Sequence, residues 1–158
     1  MADEQFYGAL LNRGGGSLLL PNLAIAEVQA LNIGAPESGL PDWWLGQVEH
    51  DGQRLPLISF MRLNGGDPVT VESRARVAII NSYGSHLDTA QFAIHCEGYP
   101  HLVALNRAAV SAVDLRDSDV EEFVLGRVRI ANNQAVIPDL EAIEAALVRA
   151  EAALQVTA

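Results

Sequence analysis

The chain has 158 residues, a formal net charge of −10 at pH 7 and apolar side chains at 49% of its positions. This length fits one domain or two small, tightly joined lobes, and the apolar fraction is enough for a substantial core. The acidic balance argues against nucleic-acid binding, because phosphate contacts need clustered lysine and arginine, and lysine is absent here.

The N-terminal residues predict neither export nor a structured start. No run of about 18 apolar residues occurs, and the chain begins with acidic residues rather than a basic segment before an apolar one. We therefore expect a cytoplasmic protein without membrane insertion. Residues 1–16 end in Gly14, Gly15 and Gly16, which lose too much entropy to lie inside a regular element. We predict a loosely ordered lead-in at 1–16 and a single domain at 17–154.

Short apolar runs separated by turn residues dominate the rest of the chain and are typical of strands. The segment 22–31 is ambiguous, because its apolar residues fit neither period cleanly and its composition favours helix. Asp114 to Glu122 is predicted as an acid-rich, solvated loop, and residues 97–100 as a turn. Strands are predicted at 43–48, 54–61, 74–81, 91–96, 101–105, 108–113, 123–130 and 135–137.

The clearest local signal is the hairpin turn at Asp51-Gly52, between the strands predicted at 43–48 and 54–61. A two-residue hairpin loop requires positive φ angles, which Asp and Gly tolerate. A second hairpin is predicted around Asn132-Asn133 for the same reason.

From about Leu140 the apolar period becomes helical. Leu140, Ile143 and Leu147 fall on one face, and Asp139 precedes them as a candidate N-cap. Eight or nine short strands closed by one amphipathic helix indicate a mostly β protein, either a barrel or a sandwich.

No residue pattern indicates catalysis, a metal or a cofactor. Asp117, Asp119 and Glu121 alternate as calcium ligands do, but their loop lacks the glycine and final glutamate of an EF-hand. The alternative function is a small β-barrel enzyme that uses Cys96 with a histidine base. A reactive cysteine needs a positive, partly open environment, whereas Cys96 ends an apolar run beside Glu97. We therefore expect a buried thiol, no cofactor and no enzyme.

The order of these elements resembles the CheW-like domain of bacterial chemosensory systems. The similar motifs, in order, are Ile25-Ala26-Glu27-Val28, Trp43-Trp44-Leu45-Gly46, Asp51-Gly52, Leu55-Pro56-Leu57-Ile58, Ala93-Ile94-His95-Cys96-Glu97, Val124-Leu125-Gly126 and Ala135-Val136-Ile137-Pro138-Asp139-Leu140. The resemblance covers about residues 17–147 and makes the first half of 22–31 a strand.

The resemblance implies two intertwined five-stranded SH3-like barrels with a C-terminal amphipathic helix. It also implies an adaptor without a reaction of its own, which binds a histidine kinase's regulatory domain and the cytoplasmic tips of chemoreceptors. Trp43-Trp44-Leu45-Gly46 and Ile137-Pro138-Asp139-Leu140 look most like the accessory proteins of type IV pilus systems, which drive twitching motility.

The resemblance also suggests partner-binding residues. Glu27 is similar to the family's receptor-side glutamate, and Ile25 precedes it on the same predicted strand. Trp43 and Trp44 are adjacent, so in a strand they would point to opposite faces, one into the core and one outward as a partner anchor. Asp51 stands where the family turn carries an arginine associated with receptor contact, which is a charge reversal.

Overall fold

The computed structural model describes residues 6–13, 16–31, 39–66, 75–82, 87, 89–106 and 110–156. Within these ranges the chain is mostly β and closes with one long helix, which confirms the predicted class. The elements, in chain order, are β1 (Phe6–Arg13), β2 (Gly16–Pro21), a 3-10 turn (Asn22–Ala24), β3 (Ile25–Ala30), β4 (Trp44–His50), β5 (Gln53–Ile58), α1 (Phe60–Leu63), β6 (Ala75–Asn81), β7 (Gln91–Leu105), β8 (Val110–Val113), β9 (Val124–Ile130), β10 (Asn133–Pro138) and α2 (Leu140–Val156).

The strands form two lobes around a shared core, which is consistent with two intertwined SH3-like barrels. Backbone pairing runs in the order β3-β6-β7-β1-β2-β10-β9-β8, and the β4–β5 hairpin joins β7 through β5. We call β3 to β6 with the first half of β7 the first lobe, and β1, β2 and β8 to β10 with the second half of β7 the second lobe. A small apolar cluster fills each lobe, and the largest cluster lies between them with α2 against it.

Strand β7 belongs to both lobes and is continuous. It pairs with β6 from Gln91 to Glu97 and with β1 from His101 to Leu105, so the turn predicted at 97–100 is wrong. Gly98 takes a φ of 65°, and the register in β1 shifts between Leu10 and Asn12. The ladders with β6 and β1 meet at Glu97, so pairing continues along the strand despite these two irregularities.

The lead-in predicted at 1–16 is wrong for most of its length. Residues 6–13 form β1, which lies between β2 and β7, and Gly16 begins β2; residues 1–5, 14 and 15 lie outside the described ranges. Ala9 and Leu11 are each 1% exposed. Pairing with β7, some 90 residues away, overrides the weak local signal. Local sequence patterns cannot reveal such a distant pairing.

Two further boundaries differ from prediction for local reasons. The strand expected in the first half of 22–31 begins only at Ile25, after the 3-10 turn. In the second hairpin, Ala131 rather than an asparagine takes the positive φ, 53°, and Asn133 already belongs to β10. Helix α2 starts as predicted, since Ala142 N donates to Asp139 Oδ1 at 3.1 Å and Ile143 and Leu147 are fully buried.

The acid-rich loop is not wholly solvated, because Asp119 is buried in it. The Asp119 side chain is 1% exposed and accepts hydrogen bonds from Arg127 Nη2 at 2.7 Å and Arg127 Nε at 3.1 Å. Asn64, which follows α1, donates to the same carboxylate at 2.9 Å and accepts from Val120 N at 2.6 Å. We call Asp119, Arg127 and Asn64 the loop clamp, since they fix the loop to β9 and to the end of α1.

We expect the loop clamp to weaken in acid. Hydrogen bonds from Arg127 hold the pKa of Asp119 at about 2, below its ordinary value of 3.8. A carboxyl whose pKa is lower in the folded state stabilises the protein at pH values above its unfolded-state pKa. For Asp119 this stabilisation is complete above pH 3.8 and is lost as the pH falls toward 2. It amounts to about 2 kcal/mol.

Urea unfolding of the wild type and of Asp119→Asn, measured at several pH values, tests this expectation. The difference in unfolding free energy between the two proteins should stay constant above about pH 4.5 and shrink below it, because only the wild type loses the charge. A difference that does not change down to about pH 2.5 would contradict it.

Candidate partner-binding site

The β4–β5 hairpin presents its turn to solvent, as predicted. Asp51 and Gly52 have φ angles of 49° and 77°, which is the geometry that a two-residue turn needs. The Asp51 side chain is 87% exposed. The tip is therefore fixed in shape by its backbone and free to contact a partner.

His50 joins the two charged residues that the sequence suggested for partner binding. Its Nδ1 lies 3.2 Å from Glu27 Oε2, and its Nε2 lies 3.4 Å from Asp51 Oδ2. The imidazole is 8% exposed, whereas the Glu27 and Asp51 side chains are 55% and 87% exposed. The structure thus places Glu27 on β3 and Asp51 on the turn at a single corner of the first lobe.

Gln29 completes this corner from β3. Its Nε2 donates to the backbone oxygen of Glu49 at 3.0 Å, and its Oε1 lies 3.3 Å from His50 Nδ1. Glu27 and Gln29 reach the same side because they are two residues apart on one strand. Glu27, Gln29, His50 and Asp51 are called the hairpin corner below.

Sequence reasoning did not single out His50 or Gln29. One signal was available, because Val48 and His50 are two residues apart on β4 and both are buried, which places the histidine on the core face of an alternating strand. Its contacts with Glu27 and Gln29 bring together residues more than 20 positions apart. They depend on the approach of β3 to β4, which no local pattern encodes.

The hairpin corner itself is acidic, whereas its neighbours Glu49 and Arg54 carry opposite charges. Glu49 and Arg54 lie on the neighbouring strands and approach each other, with Arg54 Nε 4.0 Å from Glu49 Oε1. Both lie on the outer face of the hairpin, opposite to His50, because residues 49 and 50 are neighbours on one strand. At the corner itself, the two carboxylates of Glu27 and Asp51 lie beside one histidine. The net charge is negative whether or not the histidine is protonated, so the corner suits a cationic group on a partner.

The predicted apolar contacts lie apart from this corner and converge on the shared core. Trp44 is 6% exposed and its Nε1 donates to Gly46 O at 3.0 Å; Trp43 and Ile25 are half-buried against the same cluster. The indole rings lie 6.2 Å apart with planes 27° apart, so the prediction of opposite faces is wrong. Trp43 precedes β4, where strand alternation does not apply. Of the two, Trp43 keeps the exposure that a partner anchor needs.

The described part of the chain contains no cluster of three or more His, Cys, Asp or Glu side chains that could hold a metal ion. Cys96 is 1% exposed. Burial raises the pKa of its thiol to about 12, so the nucleophilic thiolate is scarce at neutral pH. This environment does not favour the cysteine-enzyme alternative.

We expect Cys96 to resist thiol reagents in the native protein. A buried thiol reacts only through opening of the fold, so labelling should be slower by orders of magnitude than in urea-unfolded protein. Mass spectrometry of timed reactions with a maleimide measures the ratio. Fast native labelling at about pH 6 would contradict the expectation and revive the cysteine as a candidate nucleophile.

None of the helices among the residues described in the structure is long and apolar enough to cross a membrane. Two β lobes that share a core and are closed by one helix give the architecture of a small, double-lobed β protein. The chain belongs to the CheW-like domain family, since the family model matches residues 8–147.

The solved structures agree with this family. The crystal structure of the scaffolding protein TtCheW from Thermoanaerobacter tengcongensis is similar, with a TM-score of 0.72 and 13% sequence identity over 88% of this chain and 87% of that one. At this identity the likeness shows the fold alone. No curated protein matches the sequence.

Proposed function

We propose that this protein is a non-catalytic adaptor in bacterial chemosensory signal transduction, which bridges or modulates a histidine kinase and chemoreceptors. The observation that carries the proposal is the CheW-like domain over residues 8–147. The partners are the kinase's regulatory domain, which docks on an apolar lobe face, and a chemoreceptor's cytoplasmic tip, which contacts the hairpin corner. A cytoplasmic location stays a prediction that fits these partners.

The hairpin corner supports a receptor contact of unusual charge. Asp51 stands where the resemblance places an arginine, and Glu27 lies across His50 from it. A receptor tip with an acidic group here would be repelled, whereas one with arginine or lysine would be attracted. The adaptor therefore serves receptors with a basic contact residue.

Pull-down of the genome's chemosensory kinases and receptor tips with this protein tests the proposal. We expect both to bind, and Asp51→Arg to lose receptor binding while it keeps kinase binding, because the corner contacts only the receptor. Asp51→Asn, which also tolerates positive φ at the turn, should weaken receptor binding less than Asp51→Arg, because it removes the attractive charge without adding a repulsive one. Binding to none of these partners would overturn the adaptor function, and equal loss of both by Asp51→Arg would overturn the assignment of the corner.

The motifs at residues 43–46 and 137–140 favour a type IV pilus chemosensory system. Deletion of the gene in its own host should then impair twitching motility, and normal twitching with altered swimming would place the adaptor in a flagellar system instead.

A further inference from the structure

The imidazole of His50 faces an acceptor at each ring nitrogen. Glu27 Oε2 lies 3.2 Å from Nδ1 and Asp51 Oδ2 lies 3.4 Å from Nε2. A protonated imidazole donates from both nitrogens, but a neutral one donates from only one. The contacts on both sides can therefore persist together only in the protonated form.

Gln29 determines which nitrogen keeps its proton. Its Nε2 donates to Glu49 O at 3.0 Å, so its Oε1 is the atom that faces His50 Nδ1 at 3.3 Å. Nδ1 thus meets two acceptors, the Gln29 amide oxygen and the Glu27 carboxylate. The hydrogen bond to the Gln29 oxygen requires a proton on Nδ1, and the nearby Glu27 charge favours it there, so the proton that leaves is the one on Nε2.

Loss of the Nε2 proton changes the contact with Asp51 alone. The nitrogen then presents a lone pair to Asp51 Oδ2, which is repulsive at 3.4 Å. Asp51 is 87% exposed and stays open to a partner in either state, whereas Gln29 keeps its hydrogen bond donor. Imidazole changes its charge between about pH 5 and 8, which is the physiological range.

We propose that His50 is a proton-dependent switch whose charged ring weakens, and whose neutral ring restores, the attraction of Asp51 for a cationic side chain of the partner. The proposal deepens the proposed function and rests on it for the identity of the partner. A partner arginine and protonated Nε2 are like charges beside one carboxylate and repel each other, so binding of the partner favours loss of the proton. Among the described residues, the charged groups in contact with His50 are Glu27 from β3 and Asp51 from the turn. Glu49 and Arg54 of β4 and β5 pair with each other on the opposite face of the hairpin.

Nitrogen-15 NMR of the histidine ring in the free protein tests the first half of the proposal. At about pH 8 we expect the neutral His50 ring to carry its proton on Nδ1. Gln29→Leu, which removes the amide oxygen, should mix the two tautomers. A neutral ring with its proton on Nε2 in the wild type would overturn the proposal, because Nε2–H would then bind Asp51 at every pH.

Titration with N-acetyl-arginine amide tests the second half without any natural partner. We expect the Asp51 and Gly52 amide signals to report binding about fivefold tighter near pH 8 than near pH 5.5. This is the effect in water of removing one positive charge, that of the His50 ring, about 4 Å from the probe. N-acetyl-citrulline amide, which has the same shape without the charge, should not bind. Equal arginine affinity at both pH values would overturn the proposal.

Two variants identify the groups responsible. His50→Gln should bind the arginine probe equally at both pH values, and Asp51→Asn should lose the binding at both. Asp51→Asn lies at an exposed turn and should keep the fold. If His50→Gln does not fold, this variant still shows whether the Asp51 carboxylate binds the arginine probe. Failure of the proposed adaptor function would give a different result from failure of the switch. The arginine probe would still bind in a pH-dependent way, but the pull-down would capture neither kinase nor receptor.

Discussion

Asp119→Asn is expected to lower the free energy of unfolding by about 2 to 4 kcal/mol, because it removes a charge that contributes about 2 kcal/mol and leaves its buried partner uncompensated. Arg127 is 8% exposed and donates to Asp119 from two nitrogens. Asparagine leaves this guanidinium charge buried without its counter-ion. The melting temperature should fall by about 10 °C for a chain of this size.

Asp117→Asn is the matched control for this variant. Asp117 lies two residues earlier in the same loop and is exposed, so its replacement should change stability by less than about 0.5 kcal/mol. Chemical unfolding of both variants by circular dichroism makes the comparison. Equal losses from the two variants would mean that loop charge in general, and not the loop clamp, stabilises this region.

Trp44→Ala is expected to cost about 3 to 5 kcal/mol, because it leaves a large cavity in the cluster between the lobes. Trp44 is 6% exposed and its indole N–H donates to Gly46 O. Alanine removes the buried surface, the stack on Trp43 and this hydrogen bond together. Urea unfolding followed by circular dichroism measures the loss.

Trp43→Ala is the control for Trp44→Ala and separates stability from partner binding. Trp43 is only half-buried and precedes the strand, so its loss should cost about 1 to 2 kcal/mol. If Trp43 is the partner anchor, this variant should fold normally and bind its kinase or receptor more weakly. Equal destabilisation by the two variants would contradict the assignment of Trp44 to the core.

The elements that sequence reasoning predicts well are those with their own local signal. The turn at Asp51-Gly52 follows from two residues that tolerate positive φ, and β6 (Ala75–Asn81) from a run of apolar, β-branched residues. Helix α2 follows from its period and its cap at Asp139. In each case the interactions that determine the local structure are made among a few residues that are close in sequence.

The features that sequence reasoning misses depend on contacts between distant positions. Strand β1 is held by pairing with β7 near the middle of the chain, and the same pairing overrides the turn residues at 97–100. In the sequence, Asp119 is indistinguishable from the other acidic residues of its loop. Its burial depends on contacts with Arg127 and with Asn64, which is 55 positions away. Glu27 and Asp51 were suggested by resemblance, but His50 between them became evident only from the approach of β3 to β4.

The continuous strand β7 also bears on how the proposed kinase and receptor would be held relative to each other. Its 15 residues would measure about 50 Å if fully extended. If each lobe binds one of the two proposed partners, a single backbone and a shared core connect them, rather than a linker. Their spacing would then be a fixed property of the fold, set in part by the number of residues in one strand.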